Sequence, residues 1–184
     1  MAGIDETKPF VPLKIAVLTV SDTRDLADDK SGATLVSRIE SAGHTLAERG
    51  IVRDDTQAIR AQVERWIADP AIDVVVTTGG TGFTGRDVTP EAIEPLFEKR
   101  MDGFATLFHM VSFAKIGTST VQTRATAGVA NATYIFCLPG SPGACRDAWD
   151  EILVHQLDLR HRPCNFVEIL PRLGEHLKRT KAKK

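Results

Sequence analysis

Short apolar runs alternate with amphipathic stretches along the first half of this chain. Lys14–Val20, Leu46–Val52 and Ile72–Thr78 are rich in β-branched and aliphatic residues, which predicts buried strands. The spacing of apolar residues between these runs predicts helices over Ala33–Ala42 and from about Thr56 to Ile67. Alternation of this kind is typical of a parallel sheet with helices on both faces. We therefore predict a three-layer α/β/α fold.

The second half of the chain predicts further helices and one hairpin. Apolar residues spaced between Phe104 and Phe113, and again between Trp149 and Leu157, indicate two helices. Between them, the Thr- and Ser-rich stretch 117–130 and the apolar run Tyr134–Leu138 are predicted strands, joined by a turn at 130–132. We therefore expect a mostly parallel sheet plus a short β-hairpin.

Length and charge limit the possible classes of protein. The chain has 184 residues and a formal net charge of −1. Its length suits one domain, which we place at residues 14–172, between a flexible N-terminal lead (1–13) and a basic C-terminal tail (173–184). A charge near zero without a basic stripe argues against a nucleic-acid partner. No apolar segment suggests a signal peptide or a membrane span, so we expect no membrane partner and a cytoplasmic location.

The cysteines give little support for a metal or disulfide framework. The chain has three of them, an odd number without C-x-x-C spacing, which argues against both a disulfide framework and a zinc site. Cys137 lies in an apolar run, and we expect it to be a small core residue.

A glycine-rich segment follows the third predicted strand. Thr77–Ala92 reads TTGGTGFTGRDVTPEA, and its open backbone would let a phosphate approach peptide N–H groups. Arg86 and Asp87 add a cation and a carboxylate that could hold a metal. Thr89 is the predicted N-cap of the next helix, with Pro90 at its first position. We therefore predict a phosphate-binding loop of defined geometry.

The same loop contains a misleading nucleotide-binding pattern. Gly80, Gly82 and Gly85 fit the G-x-G-x-x-G fingerprint of dinucleotide-binding proteins. That fingerprint requires a helix to begin within the glycines and an acid about 20 residues later, whereas here 86–90 intervene before the helix. No G-K-[ST] follows either. A nicotinamide site and a P-loop are therefore both disfavoured.

Four loops are predicted to meet at one edge of the sheet, because ligands of parallel sheets lie at the carboxyl ends of the strands. These loops are 21–22, 53–55, 79–87 and 139–142. Their carboxylates, hydroxyl groups and free N–H groups suit a phosphorylated ligand with a divalent cation.

Several of these residues also have structural interpretations. Asp54 could cap the helix that begins near Thr56, and Asp87 could form a turn with Thr89. Arg86 could pair with a surface acid rather than with a ligand. The predicted convergence of the loops favours the functional interpretation.

Three separated motifs resemble a known family. The TVSD segment Thr19–Asp22, the TTGGTG and RDVTPEA loop and the LPGSP segment Leu138–Pro142 are similar to the molybdopterin-binding domain of molybdenum cofactor biosynthesis. The resemblance runs from about Lys14 to Arg172. The segments GTSTVQTRATAGVAN, ACRDAW and QLDLRHRPCNF resemble the protein B branch of that family.

The resemblance implies both an activity and an assembly. Related adenylyltransferases join AMP from Mg-ATP to the terminal phosphate of molybdopterin and release pyrophosphate. Two acids of that family match Asp54 and Asp87, which would be catalytic and would hold Mg²⁺. Family members form homo-trimers, or homo-hexamers as pairs of trimers, and other proteins of the pathway are possible partners. The alternatives are a non-catalytic molybdopterin-binding or scaffold protein, a nicotinamide-dependent oxidoreductase and a purely structural oligomer.

The remaining candidate residues would bind molybdopterin or ATP. They are Ser21, Asp22, Gly79, Gly80, Thr81, Gly82, Arg86, Ser112, Pro139, Gly140 and Ser141. Among them, Ser112 and the loop Pro139–Ser141 are expected at the pterin end, together with Arg124.

Overall fold

A computed structural model of the chain describes residues 3–177. The strands in this range are β1 (Gly3–Ile4), β2 (Lys14–Val20), β3 (Thr45–Val52), β4 (Val74–Thr78), β5 (Lys99–Arg100), β6 (Thr126–Ala130), β7 (Thr133–Leu138) and β8 (His161–Arg162). The α-helices are α1 (Lys30–Ser41), α2 (Thr56–Ile67), α3 (Thr89–Ile93), α4 (Asp102–Ile116), α5 (Pro142–Ala148), α6 (Val154–Gln156) and α7 (Phe166–Ile169). Of the predicted basic tail, residues 178–184 lie outside the described residues.

The main sheet has six strands in the order β3-β2-β4-β7-β6-β5. Strand β2 pairs in parallel with β3 and β4, and β4 pairs in parallel with β7. Strand β6 is antiparallel to both β7 and β5. Asn131 and Ala132, both with positive φ, form the two-residue turn between β6 and β7, as a tight hairpin requires. The predicted α/β fold, with a mostly parallel sheet and a short hairpin, is confirmed.

Helices cover both faces of this sheet. One face packs against α1, α4 and α5 through buried side chains that include Leu35, Ile39, Phe104, Phe108 and Cys145. The other face packs against α2 and α3 through Ile59, Val63, Trp66, Ala92 and Ile93. Strand β4 is buried along its whole length, and Cys137 of β7 is a core residue, as predicted. None of the helices within residues 3–177 has the length and apolar character needed to cross a membrane.

Two element boundaries differ from the sequence prediction. The stretch 117–130 is a strand only from Thr126, because Gly117 adopts a positive φ of 60° at the end of α4 and the chain continues as a 3-10 helix, Gly117–Gln122. The last long helix begins earlier than predicted, at Pro142, because the Ser141 side chain caps it. A π-helical turn, Trp149–Leu153, then joins α5 to α6.

The N-terminal segment packs on the domain, which corrects the prediction of a separate flexible lead as far as residues 3–13 are concerned. Strand β1 pairs with β8 in an antiparallel two-stranded sheet. The N–H of Leu13 donates to Nδ1 of His44, 3.2 Å away, and the Phe10 ring lies 5.1 Å from the His44 ring. Pro9 and Pro12 disfavour a helix or strand around them but leave these contacts possible. The anchor is therefore tertiary, and no local pattern indicates it.

Replacing His44 by Asn should remove part of the pH dependence of stability. Burial lowers the pKa of His44 below its ordinary value of 6.5, in spite of the nearby Asp158 carboxylate. As the pH falls below 6.5, the unfolded chain binds a proton at this side chain that the folded chain does not, so the free energy of unfolding decreases. Urea titrations at about pH 8 and about pH 5.5 should show a smaller decrease for His44→Asn than for the wild type. The control is His155→Asn, at an exposed histidine, which should show the same decrease as the wild type. If His44→Asn also shows the wild-type decrease, His44 does not contribute to the pH dependence of stability.

Candidate functional site

The carboxyl ends of the four parallel strands bring the predicted loops together. The N–H of Ser21, just after β2, donates to the carbonyl of Val52 at the end of β3, 2.9 Å away. The N–H of Gly79, just after β4, donates to the carbonyl of Leu138 at the end of β7, 3.0 Å away. Since β2 and β4 are neighbours in the sheet, all four loops lie at one edge.

Two glycines allow the loop after β4 to pack closely against its neighbours. Gly79 and Gly80 have positive φ angles of 104° and 65°, a region that favours glycine. A Cβ atom on Gly79 would collide with the Val20 carbonyl, and one on Gly80 would lie 3.1 Å from Asp54 Oδ1. The Asp54 carboxylate therefore lies directly beside the glycine loop.

The entry to α3 differs in one detail from the prediction. Thr89 is the first residue of the helix rather than its N-cap, and the residue that precedes it, Val88, makes no side-chain cap. The Thr89 hydroxyl instead donates to the carbonyl of Gly79, 2.8 Å away. Pro90 lies in the first turn, as predicted. Thr89 thus ties the start of α3 back to the beginning of the glycine loop.

Asp54 and Asp55 have different structural roles. Asp55 is the N-cap of α2, and its Oδ1 accepts from the N–H of Ala58 at 2.8 Å. The interpretation of Asp54 as the cap is therefore wrong, and its carboxylate is free of that role. Partial burial, together with the negative charges of Asp22 and Asp87, raises the pKa of Asp54. Asp22 and Asp87 thus lie close enough to repel the Asp54 carboxylate, and a cation beside Asp54 would be stabilised.

Asp87 closes the glycine loop upon itself. Its Oδ2 accepts from the N–H and from the hydroxyl of Thr84, at 2.8 and 2.6 Å. Although burial works to raise it, the hydrogen bonds from Thr84 and Gly82 hold the pKa of Asp87 below its ordinary value. The predicted turn partner, Thr89, is wrong, since Thr84 takes that place. Asp87 therefore stays ionised within a backbone turn of defined shape.

Arg86 forms an ion pair across the loops. Its Nε and Nη2 both donate to Asp22 Oδ2, at 2.9 and 2.6 Å. The hydrogen bonds and charge of Arg86 lower the pKa of Asp22. The alternative interpretation of Arg86, as the partner of a surface acid, therefore describes this structure, although 66% of its side chain remains exposed.

Arg124 holds the glycine loop from the side of β6. Its backbone N–H donates to the carbonyl of Thr81, and its Nε and Nη2 donate to the carbonyls of Gly82 and Asp87, all at 2.9 Å. It also forms an ion pair with Glu91 in the first turn of α3. The sequence predicts Arg124 at the pterin end, but here its donors serve the loop backbone. Its role in this structure is to position the loop.

The loop after β7 packs against the glycine loop. A Cβ atom on Gly140 would lie 3.1 Å from the Cα of Gly79, so the two loops touch through their backbones. The hydroxyl of Ser141 accepts from the N–H of Ala144, 3.1 Å away, as the N-cap of α5. The carbonyl of Pro139 accepts from the Thr78 hydroxyl at 2.9 Å. Pro139, Gly140 and Ser141 thus reach the site, with the Ser141 hydroxyl occupied by a structural bond.

Ser112 is the candidate that the structure does not bring to these loops. It is buried in α4 and accepts from the Thr120 hydroxyl, 2.9 Å away. Within the described part of the chain, its side-chain hydrogen bond goes to the 3-10 helix Gly117–Gln122 rather than to a strand-end loop. Its placement follows from α4 packing beside β6, which helical spacing alone does not reveal.

Two residues at this edge were missed by sequence reasoning. Ser31, in the first turn of α1, donates from its hydroxyl to the carbonyl of Gly140, 3.1 Å away. Arg24 donates to the same carbonyl at 3.3 Å. Their contacts with Gly140 join residues that are 109 and 116 positions apart in the sequence. The only local signal for them was therefore their position after the TVSD motif.

Fold and site together define an α/β protein with a glycine loop and clustered aspartates at the carboxyl edge of a parallel sheet. A family model described as "Probable molybdopterin binding domain" matches residues 16–159. The chain belongs to this family, the molybdopterin-binding domain of molybdenum cofactor biosynthesis, and the resemblance predicted from the motifs is confirmed.

Individual relatives agree with this assignment. The chain is 53% identical over 157 residues to molybdenum cofactor biosynthesis protein B of Escherichia coli K12. The aligned region covers 85% of this chain and 92% of the relative. A crystal structure of a molybdenum cofactor biosynthesis protein B superposes with a TM-score of 0.82 at 35% identity, covering 91% of this chain and 99% of the other. The tungsten cofactor synthesizing protein MoaB of Pyrococcus furiosus superposes with a TM-score of 0.69 at 37% identity, covering 77% and 91%.

Replacing Asp54 and Asp55 by Ala, one at a time, should change the free energy of unfolding differently. Asp55→Ala removes the N-cap of α2 and should lower the free energy of unfolding by about 1 kcal/mol. Asp54→Ala removes a carboxylate whose pKa is raised in the folded state, so at neutral pH the stability should stay equal or increase. Urea unfolding of the two variants measures both effects. A larger loss of stability for Asp54→Ala than for Asp55→Ala would show that Asp54, and not Asp55, caps α2.

Proposed function

We propose that this chain binds molybdopterin and ATP at the carboxyl edge of the sheet and transfers AMP to the terminal phosphate of molybdopterin. The observation that carries the proposal is the arrangement of Asp54 and Asp87 beside the glycine loop. Asp55, and not Asp54, caps α2, so capping of this helix does not account for the Asp54 carboxylate. A protein that only bound molybdopterin would gain nothing from clustered acids next to a phosphate.

The reaction would be a nucleotidyl transfer. A terminal phosphate oxygen of molybdopterin attacks the α-phosphorus of ATP and forms a new P–O bond. The bond from that phosphorus to the bridging oxygen breaks, and pyrophosphate leaves with the electron pair. The attacking phosphate is already anionic at neutral pH, so the step depends mainly on positioning and charge neutralisation. The N–H groups of Gly80 and Thr81 would hold phosphate oxygens, in a loop held by Arg124. The N–H of Gly82, the third candidate, bonds with Asp87 in this structure.

The residues present fit a magnesium ion carried by ATP. Carboxylate oxygens are the ligands that Mg²⁺ prefers, and this ion is usually shared between one or two carboxylates and substrate phosphates. Among residues 3–177, no group of three or more His, Cys, Asp or Glu side chains is arranged to hold a metal alone. Burial and the repulsion from Asp22 and Asp87 raise the pKa of Asp54, and this repulsion supports a cation shared by Asp54 and Asp87 with the phosphates. When bound, the ion would supply neutralisation of the phosphate charge.

Asp54→Asn and Asp87→Asn should each lower the rate of AMP transfer by roughly a hundredfold or more, as loss of a metal or charge-stabilising group does. The amide oxygen of Asn at position 87 can still accept from Thr84, so the loop should keep its shape. The measurement incubates purified protein with molybdopterin, ATP and Mg²⁺ and follows adenylated product and pyrophosphate. Removal of Mg²⁺ by a chelator should abolish both.

Asp102→Asn provides the matched control. Asp102 is an exposed aspartate at the start of α4, and its replacement should leave the transfer rate unchanged. Wild-type rates in a folded Asp87→Asn variant would remove Asp87 from the chemistry. A wild-type protein that binds molybdopterin without releasing pyrophosphate from ATP would favour the alternative of a non-catalytic binding or scaffold protein.

We also propose that the chain assembles as a homo-trimer or homo-hexamer through α4. Exposed apolar side chains lie on this helix and on the 3-10 helix after it: Leu107, Met110, Phe113, Ile116 and Val121. Some of them line a shallow cleft of about 880 Å³. Contiguous apolar surface of this kind marks an interaction site, and the resemblance of the chain to a trimeric family supports a second copy as the occupant.

The double variant Met110→Asp and Phe113→Asp should be monomeric, because a buried, unpaired charge is costly at an interface. Light scattering coupled to size exclusion reports the mass directly. Ile169→Asp, at an exposed apolar residue of α7, should retain the wild-type mass. If the double variant also has the mass of the wild-type assembly, the interface lies elsewhere on the molecule.

A further inference from the structure

Arg24 is held at both ends by the strand-end loops. Its backbone N–H donates to Ser21 Oγ, 3.2 Å away, in the turn after β2. Its Nη1 donates to the carbonyl of Gly140 at 3.3 Å and to the hydroxyl of Ser31 at 3.4 Å. Ser31 is buried and donates to the same carbonyl, which holds that acceptor in place. The guanidinium therefore reaches from the loop after β2 to the loop after β7.

Within the described residues, no carboxylate forms an ion pair with Arg24. The side-chain acceptors of its guanidinium, within residues 3–177, are a hydroxyl and a carbonyl, both neutral. The nearest acids in the sequence, Asp25 and Asp28, accept backbone N–H groups of their own turn. Arg86, at the same edge, is by contrast paired with Asp22. Arg24 is thus a positioned cation, and its Nε and Nη2 donate to no group in the part of the chain that the structure describes.

Arg24 and the aspartates lie on opposite sides of the glycine loop. Asp54 and Asp87 precede α2 and α3, which pack on one face of the sheet. Ser31 and Gly140 belong to α1 and to the entry of α5, which pack on the other face. Gly79 contacts Gly140, whereas Gly80 lies beside Asp54. A ligand at this edge would meet carboxylates on one side and an uncompensated guanidinium on the other.

We propose that Arg24 forms a phosphate-binding subsite on the α1–α5 side of the edge, separate from the carboxylates that would hold a metal. A guanidinium with two free donors matches two phosphate oxygens, and charge-assisted bonds of this kind are strong. The phosphate would belong either to molybdopterin or to ATP, and in this respect the subsite rests on the proposed function. Ser21 then acts as a positioning residue, because its hydroxyl holds the Arg24 backbone.

The test compares phosphorylated ligands with their phosphate-free counterparts. Calorimetry would give the Kd of wild type, Arg24→Gln and Arg24→Lys for Mg-ATP and adenosine, and for molybdopterin and its dephosphorylated form. Arg24→Gln should weaken binding of one phosphorylated ligand about tenfold or more, with little change for its counterpart. Arg24→Lys should retain part of the affinity, since it keeps the charge but not the planar fork. The salt dependence of that Kd should decrease in Arg24→Gln. The ligand that loses affinity identifies the source of the phosphate.

Arg60→Gln is the matched control, because Arg60 lies on α2 and pairs with Glu64; it should bind every ligand as the wild type does. The subsite is refuted if Arg24→Gln binds both phosphorylated ligands with wild-type affinity. It is also refuted if phosphorylated and phosphate-free ligands weaken equally, since Arg24 would then only support the loop after β7. Wild-type protein that binds phosphorylated ligands without transferring AMP would overturn the proposed function and leave the subsite standing. Binding of neither phosphorylated ligand to the wild type would overturn both.

Discussion

Backbone contact at Gly79 is the constraint on which the strand-end edge depends. Its N–H donates to Leu138, its carbonyl accepts from Thr89, and a Cβ atom at this position would collide with the carbonyl of Val20. The ends of β2, β4 and β7 and the start of α3 therefore meet within contact distance only because this residue has no side chain. The glycine loop, which carries Arg86 and Asp87, owes its position to this packing and to the bonds from Arg124.

Among residues 3–177, the acids at this edge differ in how well their negative charge is compensated. Asp22 is paired with Arg86, Asp55 caps α2, and Asp87 is held by its own turn. The pKa of Asp54 is raised, because burial and the charges of Asp22 and Asp87 outweigh the charge of Arg86 and the hydrogen bond from the Asp22 backbone. The fold therefore destabilises the ionised form of Asp54. This edge combines a carboxylate whose ionised form is destabilised with N–H groups of the glycine loop. It therefore suits a cation and a polyphosphate together better than it suits either alone.

Local patterns predicted the fold and the meeting of the four loops at one edge of the sheet, but not every contact within the candidate site. Alternating apolar runs and glycine clusters are properties of short segments, so the parallel sheet, the hairpin and the four loops could be read from the sequence. Asp54 and Asp55 both satisfy the signature of an N-cap, and only the path of the backbone decides between them. The Arg24 contact with Gly140 spans 116 positions, and that of Asp5 with Arg162 spans 157. Contacts at such separations leave no local pattern, so Arg24 and the anchored N-terminal segment were missed.

The proposal that molybdopterin and ATP bind at the glycine loop can be tested directly by a crystal structure. The wild-type protein would be crystallised with molybdopterin, Mg²⁺ and an ATP analogue that cannot release pyrophosphate. We expect phosphate density at the N–H groups of Gly80 and Thr81 and a metal in contact with Asp54 or Asp87. Ligand density confined to another part of the molecule, such as the cleft beside α4, with the glycine loop unoccupied at saturating ligand, would contradict this proposal.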